Sequence, residues 1–485
     1  MKRISLFLTM CAIVLLSCEN KLEDGGIYIS NNTEQTSSPY HITLEQALNN
    51  MYSTMDALNL GTRAKCRVVK DVQLIPSARR QTRSGDALGA FYVVNFENDE
   101  GFAILAADTR ISADVIGIGE QGNFTYIPLG QSETRSWPVD TLDTSADTLT
   151  LEDLYVPEED DYLLGGGKDD GNNFLSRAID ILDSNIENPI DNGDGGGTGG
   201  GGNYRIIETT EELISPLIST KWGQNEPYNY KCPRYYYYSN PQTGTIRCKA
   251  DYDFPYDTFY GYVDQKLIAT GCIATALAQI LAYHNYPNTD TILGESDVTD
   301  WADFPIELST DSIPTHIDHI SSLMYTIGVG CNMYYGFGGD TQSFSTPKRA
   351  RDYMEQLGYQ NVTRHIYYST SIIRQMLRND CPVLIGALAS LEQDIDCWGG
   401  HAWVIDGYHE EIEKWYYADD NTLYKTVTNY YVHCNWGWDG DLNGWFTSNL
   451  FDTTKEEEYD SDENSTFSRN YSWWRRVITY DKPNN

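Results

Sequence analysis

The hydrophobic and polar positions divide the chain into an apolar start, two globular stretches and a glycine-rich join. An apolar run of about a dozen residues follows Lys2 and Arg3 and ends at Leu15-Leu16-Ser17-Cys18; it is too short to span a bilayer and predicts an export signal over residues 1–17. Residues 18–38 are polar and read as a tether. In the next stretch, residues 39–165, "ITLEQALNNMYSTMDAL" carries apolar residues at helical spacing, and "ALGAFYVVNFENDEGFAILAAD" predicts two strands joined by the turn Glu97 to Gly101. Residues 166–204 hold an amphipathic helix in "FLSRAIDILDSNIE" and then "DNGDGGGTGGGGNYR", a glycine run expected to act as a flexible linker and a site of proteolytic nicking. From residue 205 to 485 the pattern is globular again and rich in Tyr, Trp and Gly.

The 485 residues leave ample chain for a large core. A net charge of −36 argues against a nucleic-acid partner, whose phosphates the surface would repel. The ending at Cys18 resembles a bacterial lipobox, which implies an acylated cysteine and a membrane anchor in the cell envelope. The ten cysteines include no C-x-x-C pair, so zinc or thioredoxin-like chemistry is not indicated, and no cofactor is expected. Cys232 and Cys248 are the nearest pair and the candidate disulfide.

One cysteine stands at a chemically distinctive place. In "IATGCIATALAQILAYHNYP" the apolar stripe Cys272, Ile273, Ala276, Leu277, Ile280, Leu281 predicts a helix that begins at Cys272 and stops before Pro287. A sulfur at a helix N-terminus meets unpaired N–H groups and the positive end of the macrodipole, both of which stabilise a thiolate. The competing reading is an inert packed thiol.

A nucleophile needs a base, and the eight histidines bound the search. His284 lies on the same helix but three turns away. His316 and His319 form an H-x-x-H pair without further ligands, which is weak support for a metal. His401, in "CWGGHAWVIDGY", follows two glycines and opens an alternating strand, a position from which a ring projects into a cleft. It lies 129 positions beyond Cys272 (401 − 272), in the Cys-before-His order of papain-like enzymes. Downstream, "YYVHCNWGWDGDLNGWF" offers Asn435 and Trp436 to orient or shield an imidazole. Gln224, in "STKWGQNEPYNYKCP", is a candidate oxyanion donor beside the Cys272 N–H, or else a surface turn residue.

Taken together, "ATGCIATALAQILAYHNYP", "GGHAWVIDGY", "NWGWDG" and "WGQNEPYN" resemble the streptopain family of secreted bacterial cysteine proteases, from about residue 205 to the end. "GFAILAADTRISADVIGIG" resembles that family's inhibitory propeptide. The resemblance implies an α+β architecture: a papain-like catalytic domain with a helical half carrying Cys272 and an antiparallel sheet half carrying His401, preceded by a small α+β propeptide domain. It implies Cys272 as nucleophile, His401 as general base and acid, Gln224 as oxyanion donor, and Asn435 with Trp436 as the group that orients or shields His401.

It further implies a cysteine-type endopeptidase made as a zymogen. Its partners would be protein or peptide substrates and its own propeptide, with a cut between Asn192 and Arg205 releasing the catalytic domain. Hydrophobic side chains two residues before the scissile bond are expected, with "MYYGFGGDTQSFSTPKRA" supplying part of the pocket. Two departures from papain stand out. Gln224 lies 48 positions before the cysteine (272 − 224), and Asn435 and Trp436 are adjacent. The alternatives are an inactive surface-binding protein on a protease scaffold, and a transpeptidase or amidase using the same thioester.

Overall fold

The computed structural model describes residues 29–30, 40–60, 67–81, 87–111, 113–128, 155–159, 161–162, 164–165, 170–184, 204–240, 244–249, 262–294, 300–336, 342–391, 400–417, 421–451 and 471–483. The export signal, Cys18, most of the tether and the glycine run lie outside them.

In the first domain, α1 (Leu44–Ala57) opens on a reciprocal cap. The Thr43 hydroxyl accepts from the Gln46 N–H, and the Gln46 side chain accepts from the Thr43 N–H. The helix buries Ala47, Met51 and Met55 against an antiparallel sheet of β1 (Val69–Gln81), β2 (Ala87–Phe96), β3 (Phe102–Ala106) and β4 (Val115–Gly119). Every residue of β3 and β4 is buried, which explains why these strands read as continuous apolar runs rather than alternating ones. β5 (Leu164–Gly165) and α2 (Asp170–Ser184) follow.

Helix α2 is packed into this domain, although its sequence reads as part of the joining segment. Ser77 Oγ donates to Asp183 at 2.7 Å, Tyr126 Oη to Asp180 at 2.7 Å, and the buried Arg177 donates to Asp180 at 2.7 Å and to the Ile127 carbonyl at 2.8 Å. A buried guanidinium needs such partners, and they come from Asp180 on its own helix and the Ile127 carbonyl.

The remainder begins with β6 (Tyr204–Ile214). Its helical half holds α3 (Cys272–His284), α4 (Pro314–Gly330), β7 (Ser343–Ser345) and α5 (Pro347–Gln356). Its sheet half, preceded by α6 (Thr370–Arg378), holds β8 (Val383–Leu391), β9 (Gly400–Tyr417), β10 (Leu423–Asn435), β11 (Gly444–Thr447) and β12 (Tyr471–Thr479), all antiparallel to their neighbours. The expected α+β division is thus realised.

The two sheets are one. β4 pairs with β11 through Gly119↔Gly444, Ile118↔Trp445 and Gly117↔Phe446, so the order runs β1-β2-β3-β4-β11-β10-β9-β8-β12, with β6 added on β9. At Gly444 a Cβ would lie 2.1 Å from the Ile118 carbonyl oxygen, which is why glycine stands there.

Candidate active site

Cys272 is the first residue of α3 and is 1% exposed. Gly271 before it has φ 92°, a dihedral that requires glycine, and a Cβ there would fall 2.6 Å from the Met333 methyl carbon. Of the 13 residues of α3, 11 are buried, so the helix runs through the core and not along one face as the stripe suggested. The Cys272 N–H thus stands at the N-terminal end of the helix, where main-chain N–H groups point outward along the axis.

His401 lies near the start of β9, opposite Ala387 of β8, and is 2% exposed. Its Nε2 is 2.8 Å from the Trp436 carbonyl oxygen. A carbonyl can only accept, so Nε2 carries the proton and Nδ1 keeps a lone pair, the state a general base requires. Trp438 stacks on the ring at 4.4 Å between centroids, while Trp403 and Trp436 lie at 6.1 and 6.3 Å. Burial lowers the His401 pKa to about 4 against the opposing pull of the Trp436 carbonyl, so the imidazole is neutral at pH 7 in this covered state.

Asn435 ends β10 and is buried, but its side chain is used elsewhere. Its Oδ1 accepts from Gln279 Nε2 at 3.1 Å and from the Gly437 N–H at 3.3 Å, and its Nδ2 donates to the Thr220 carbonyl at 2.8 Å. The group that meets His401 is therefore the Trp436 carbonyl, with Asn435 fixing the turn that carries it. The Trp436 N–H is held in turn by Asn443 Oδ1 at 2.9 Å. The turn lies on the first turn of α3, since a Cβ at Gly437 would sit 3.0 Å from Thr275 Cγ2.

Gln224 is 3% exposed, and its main-chain carbonyl accepts from the Thr270 N–H at 2.9 Å, two residues before the cysteine. Its side-chain oxygen is buried with no hydrogen-bond partner. That oxygen can only accept, so an oxyanion contact would fall to the Nε2 donor of the same amide, held beside the start of α3.

Gln279 and Asn443 belong to this arrangement and escaped the sequence reading. Gln279 carried a signal: it is the polar residue in an otherwise apolar run, seven positions after Cys272 and so on the same helix face. Asn443 carried none.

Other histidines are bound in structural pairs: His433 with Asp406 at 2.6 Å, His284 with Tyr480 at 3.0 Å and His409 with Glu211 at 3.0 Å. His316 and His319 lie on α4, and among the described residues no group of three His, Cys, Asp or Glu side chains is placed to hold a metal ion. Cys232 corrects the disulfide expectation. It is a free thiol whose pKa burial pushes up to about 12, while Cys248 sits on a separate strand paired with Tyr236.

The first domain covers this site. Leu164 on β5 is fully buried, and β5 pairs with β7 of the helical half. Cβ atoms at Gly386 and Gly400 would meet the Leu164 methyl groups at 2.5 and 3.1 Å, so these glycines hollow out the pocket that the leucine fills. Phe174 of α2 packs edge-on against His401, Trp403 and Trp436 at 5.8, 5.3 and 5.7 Å.

The model of the Peptidase C10 family matches residues 222–446, the span holding Gln224, Cys272, His401, Asn435 and Trp436. The chain is 27% identical over 391 residues to the thiol protease/hemagglutinin PrtT of Porphyromonas gingivalis, a match covering 74% of this chain and 34% of that protein. It is 31% identical over 206 residues to a streptopain of Streptococcus pyogenes, covering 37% of this chain and 45% of that one. The aligned region is thus less than half the length of either relative. Among solved structures, a fragment of Prevotella intermedia prointerpain A matches with TM-score 0.41 and 18% identity, covering 85% of this chain and all of that one. Residues 222–446, just under half of the chain, thus match the model of the Peptidase C10 family, and this region is similar to the streptopains that its motifs resemble.

Proposed function

We propose that the chain is a cysteine endopeptidase made as a zymogen, exported and tethered to the cell envelope through an acylated Cys18, with residues 39–165 and α2 forming an intramolecular inhibitor. The observation that carries this reading is the protonated Nε2 of His401 on the Trp436 carbonyl, which leaves Nδ1 as the base in a site built around the start of α3. Phe174 and Leu164 packed over that site support latency.

In the uncovered enzyme water reaches His401, and its lowered pKa rises toward the ordinary histidine value. Cys272 gives its proton to His401 Nδ1, and the thiolate attacks the peptide carbonyl carbon. The Cys272 N–H and the Gln224 side chain hold the oxyanion. As the C–N bond breaks, His401 returns the proton to the leaving amine, and water then hydrolyses the thioester with His401 again as base. Trp436 and Asn435 are positioning residues in this scheme. Processing within residues 192–205 would leave β6 on the catalytic sheet, because it is paired with β9 from Tyr204 onward.

N-terminal sequencing of the mature form, made by wild type and by Cys272→Ala, tests nucleophile and processing together. We expect the wild type to mature and to lose activity on thiol alkylation, and Cys272→Ala to stay full length and inactive. Maturation of purified Cys272→Ala without an added protease would remove the self-processing step. The word hemagglutinin in the name of one relative keeps a binding role in view; processed protein that leaves an unfolded protein substrate intact would favour it.

A further inference from the structure

Beside the leucine pocket, the segment that crosses the cleft has a second anchor. Tyr155–Val156 and Asp161–Tyr162 pair as a short hairpin, and Glu159 in its turn reaches the start of α5. The Thr346 hydroxyl, which caps α5 by accepting from the Arg349 N–H at 3.2 Å, donates to Glu159 Oε2 at 2.5 Å. Arg349 Nε donates to Glu159 Oε1 at 2.9 Å. One carboxylate therefore meets a hydroxyl, a guanidinium and the positive end of a ten-residue helix.

The receiving side of this contact belongs wholly to the catalytic half. Arg349 Nη1 donates to the Asn332 carbonyl at 2.9 Å, Nη2 donates to Tyr334 Oη at 3.2 Å, and the guanidinium lies 4.7 Å over the Tyr334 ring. These three contacts fix the Nε edge in place whether or not Glu159 is present. The Arg349 side chain is only 9% exposed, and the carboxylates of its own helix are turned to other cations, Asp352 to Lys348 and Arg351, and Glu355 to Arg351. Removal of the propeptide would take the anion away and uncover the Nε edge of a guanidinium whose other nitrogens stay held, which leaves an oriented donor for a new carboxylate.

The site also borders the cleft. Thr346 directly follows Ser345, which pairs with Leu164, the residue that fills the pocket between Gly386 and Gly400 next to His401. We propose that Arg349 and Thr346 form a carboxylate-binding subsite of the mature enzyme, which takes a glutamate or aspartate side chain of a polypeptide substrate in the place that Glu159 holds in the precursor. This rests on the protease reading above. Arg349 is then a specificity-determining residue that selects acidic segments flanking an apolar side chain in the Leu164 pocket.

The test uses wild-type enzyme after processing and a set of peptides with one fixed leucine. A single glutamate is moved through the flanking positions, each peptide having a glutamine counterpart. We expect one position at which the glutamate peptide is cleaved with kcat/KM on the order of tenfold higher than its counterpart. Arg349→Gln should abolish that preference while leaving the glutamine peptide within about twofold of wild type, which also shows that the variant is folded. Should Arg349→Gln not yield soluble enzyme, Tyr334→Phe, at a 46% exposed position, frees one nitrogen of Arg349 and should narrow the preference. Equal rates for glutamate and glutamine at every position, or a preference untouched in these variants, overturns the subsite alone. Silence on every peptide overturns the protease reading and the subsite with it.

Discussion

The first domain holds the catalytic region in two ways that differ in kind. At the seam, β4 and β11 join by main-chain pairing, with the Glu120 N–H donating to the Asn443 carbonyl at 2.7 Å and Lys221 Nζ to Gln121 at 3.1 Å. Over the cleft, beyond the short β5–β7 pairing, contact is made by side chains: Leu164 in its glycine-walled pocket, Phe174 on three aromatic rings and Glu159 on Arg349. Main-chain pairing tolerates many sequences but needs close approach, whereas the side-chain cover depends on particular shapes. In the proposed zymogen, the seam would supply attachment and the cover latency.

The largest expected effect falls on the cover. Phe174→Ala removes a buried ring from His401, Trp403 and Trp436, a change that costs about 4 kcal/mol in a well-packed site. In the full-length chain we expect a lowered unfolding temperature and faster alkylation of Cys272. If the temperature falls while Cys272 stays as unreactive as in wild type, Phe174 is core and not cover.

Gly444→Val should act on the seam instead. Its new side chain would collide with the Ile118 main chain, which cannot move as a flexible side chain can, and we expect a loss of about 3 kcal/mol in docking. Hydrogen exchange in the Cys272→Ala background should show residues 115–119 losing protection. The processed enzyme has no β4 against this edge and should keep its kcat/KM. Unchanged protection at 115–119 would mean the seam is not what attaches the domain.

Acid separates the two contacts a third way. Burial under the cover lowers the His401 pKa to about 4, so the unfolded chain binds this proton more readily than the folded one. The stability this confers is complete above the ordinary histidine pKa of about 6.5 and is lost as pH falls toward 4, by about 2 kcal/mol at pH 4.5. Full-length Cys272→Ala should therefore lose more thermal stability between pH 7 and 4.5 than Cys272→Ala/His401→Gln. Equal losses would show that His401 is not the group that senses acid.

Much of this arrangement could be read from local sequence. The glycine before Cys272, the apolar run after it and the stop before Pro287 define α3, and the polar turn at Glu97 to Gly101 defines the β2–β3 pair. What local pattern could not give is pairing at a distance. Gly119 and Gly444 are 325 positions apart (444 − 119), and "VIGIG" shows a buried strand without showing its neighbour. The same limit explains Asn435, whose type suits a histidine partner but whose amide is claimed by Gln279 and Thr220. It also explains α2, which is amphipathic in either context and is tied to the first domain by distant partners such as Ser77, Tyr126 and Ile127.

The smallest effect concerns the seam's own histidine and has the opposite sign. Burial opposes charge on His433, but Asp406 at 2.6 Å and Glu120 at 3.8 Å outweigh it, and its pKa is raised. Stability from this group is therefore complete below about pH 6.5 and is lost as pH rises through the raised value. In the proposed processing Asp406 stays with the catalytic half, so only Glu120's share bears on docking. Glu120 is 39% exposed, and Arg67 also draws on its charge, which holds that share below about 1 kcal/mol. Glu120→Gln should weaken docking slightly at pH 6 and less at pH 8, the reverse of the His401 trend. A loss equal at pH 6 and pH 8 would mean that Glu120 acts through Arg67, whose charge does not change over this range, and that the seam has no titrating partner of its own.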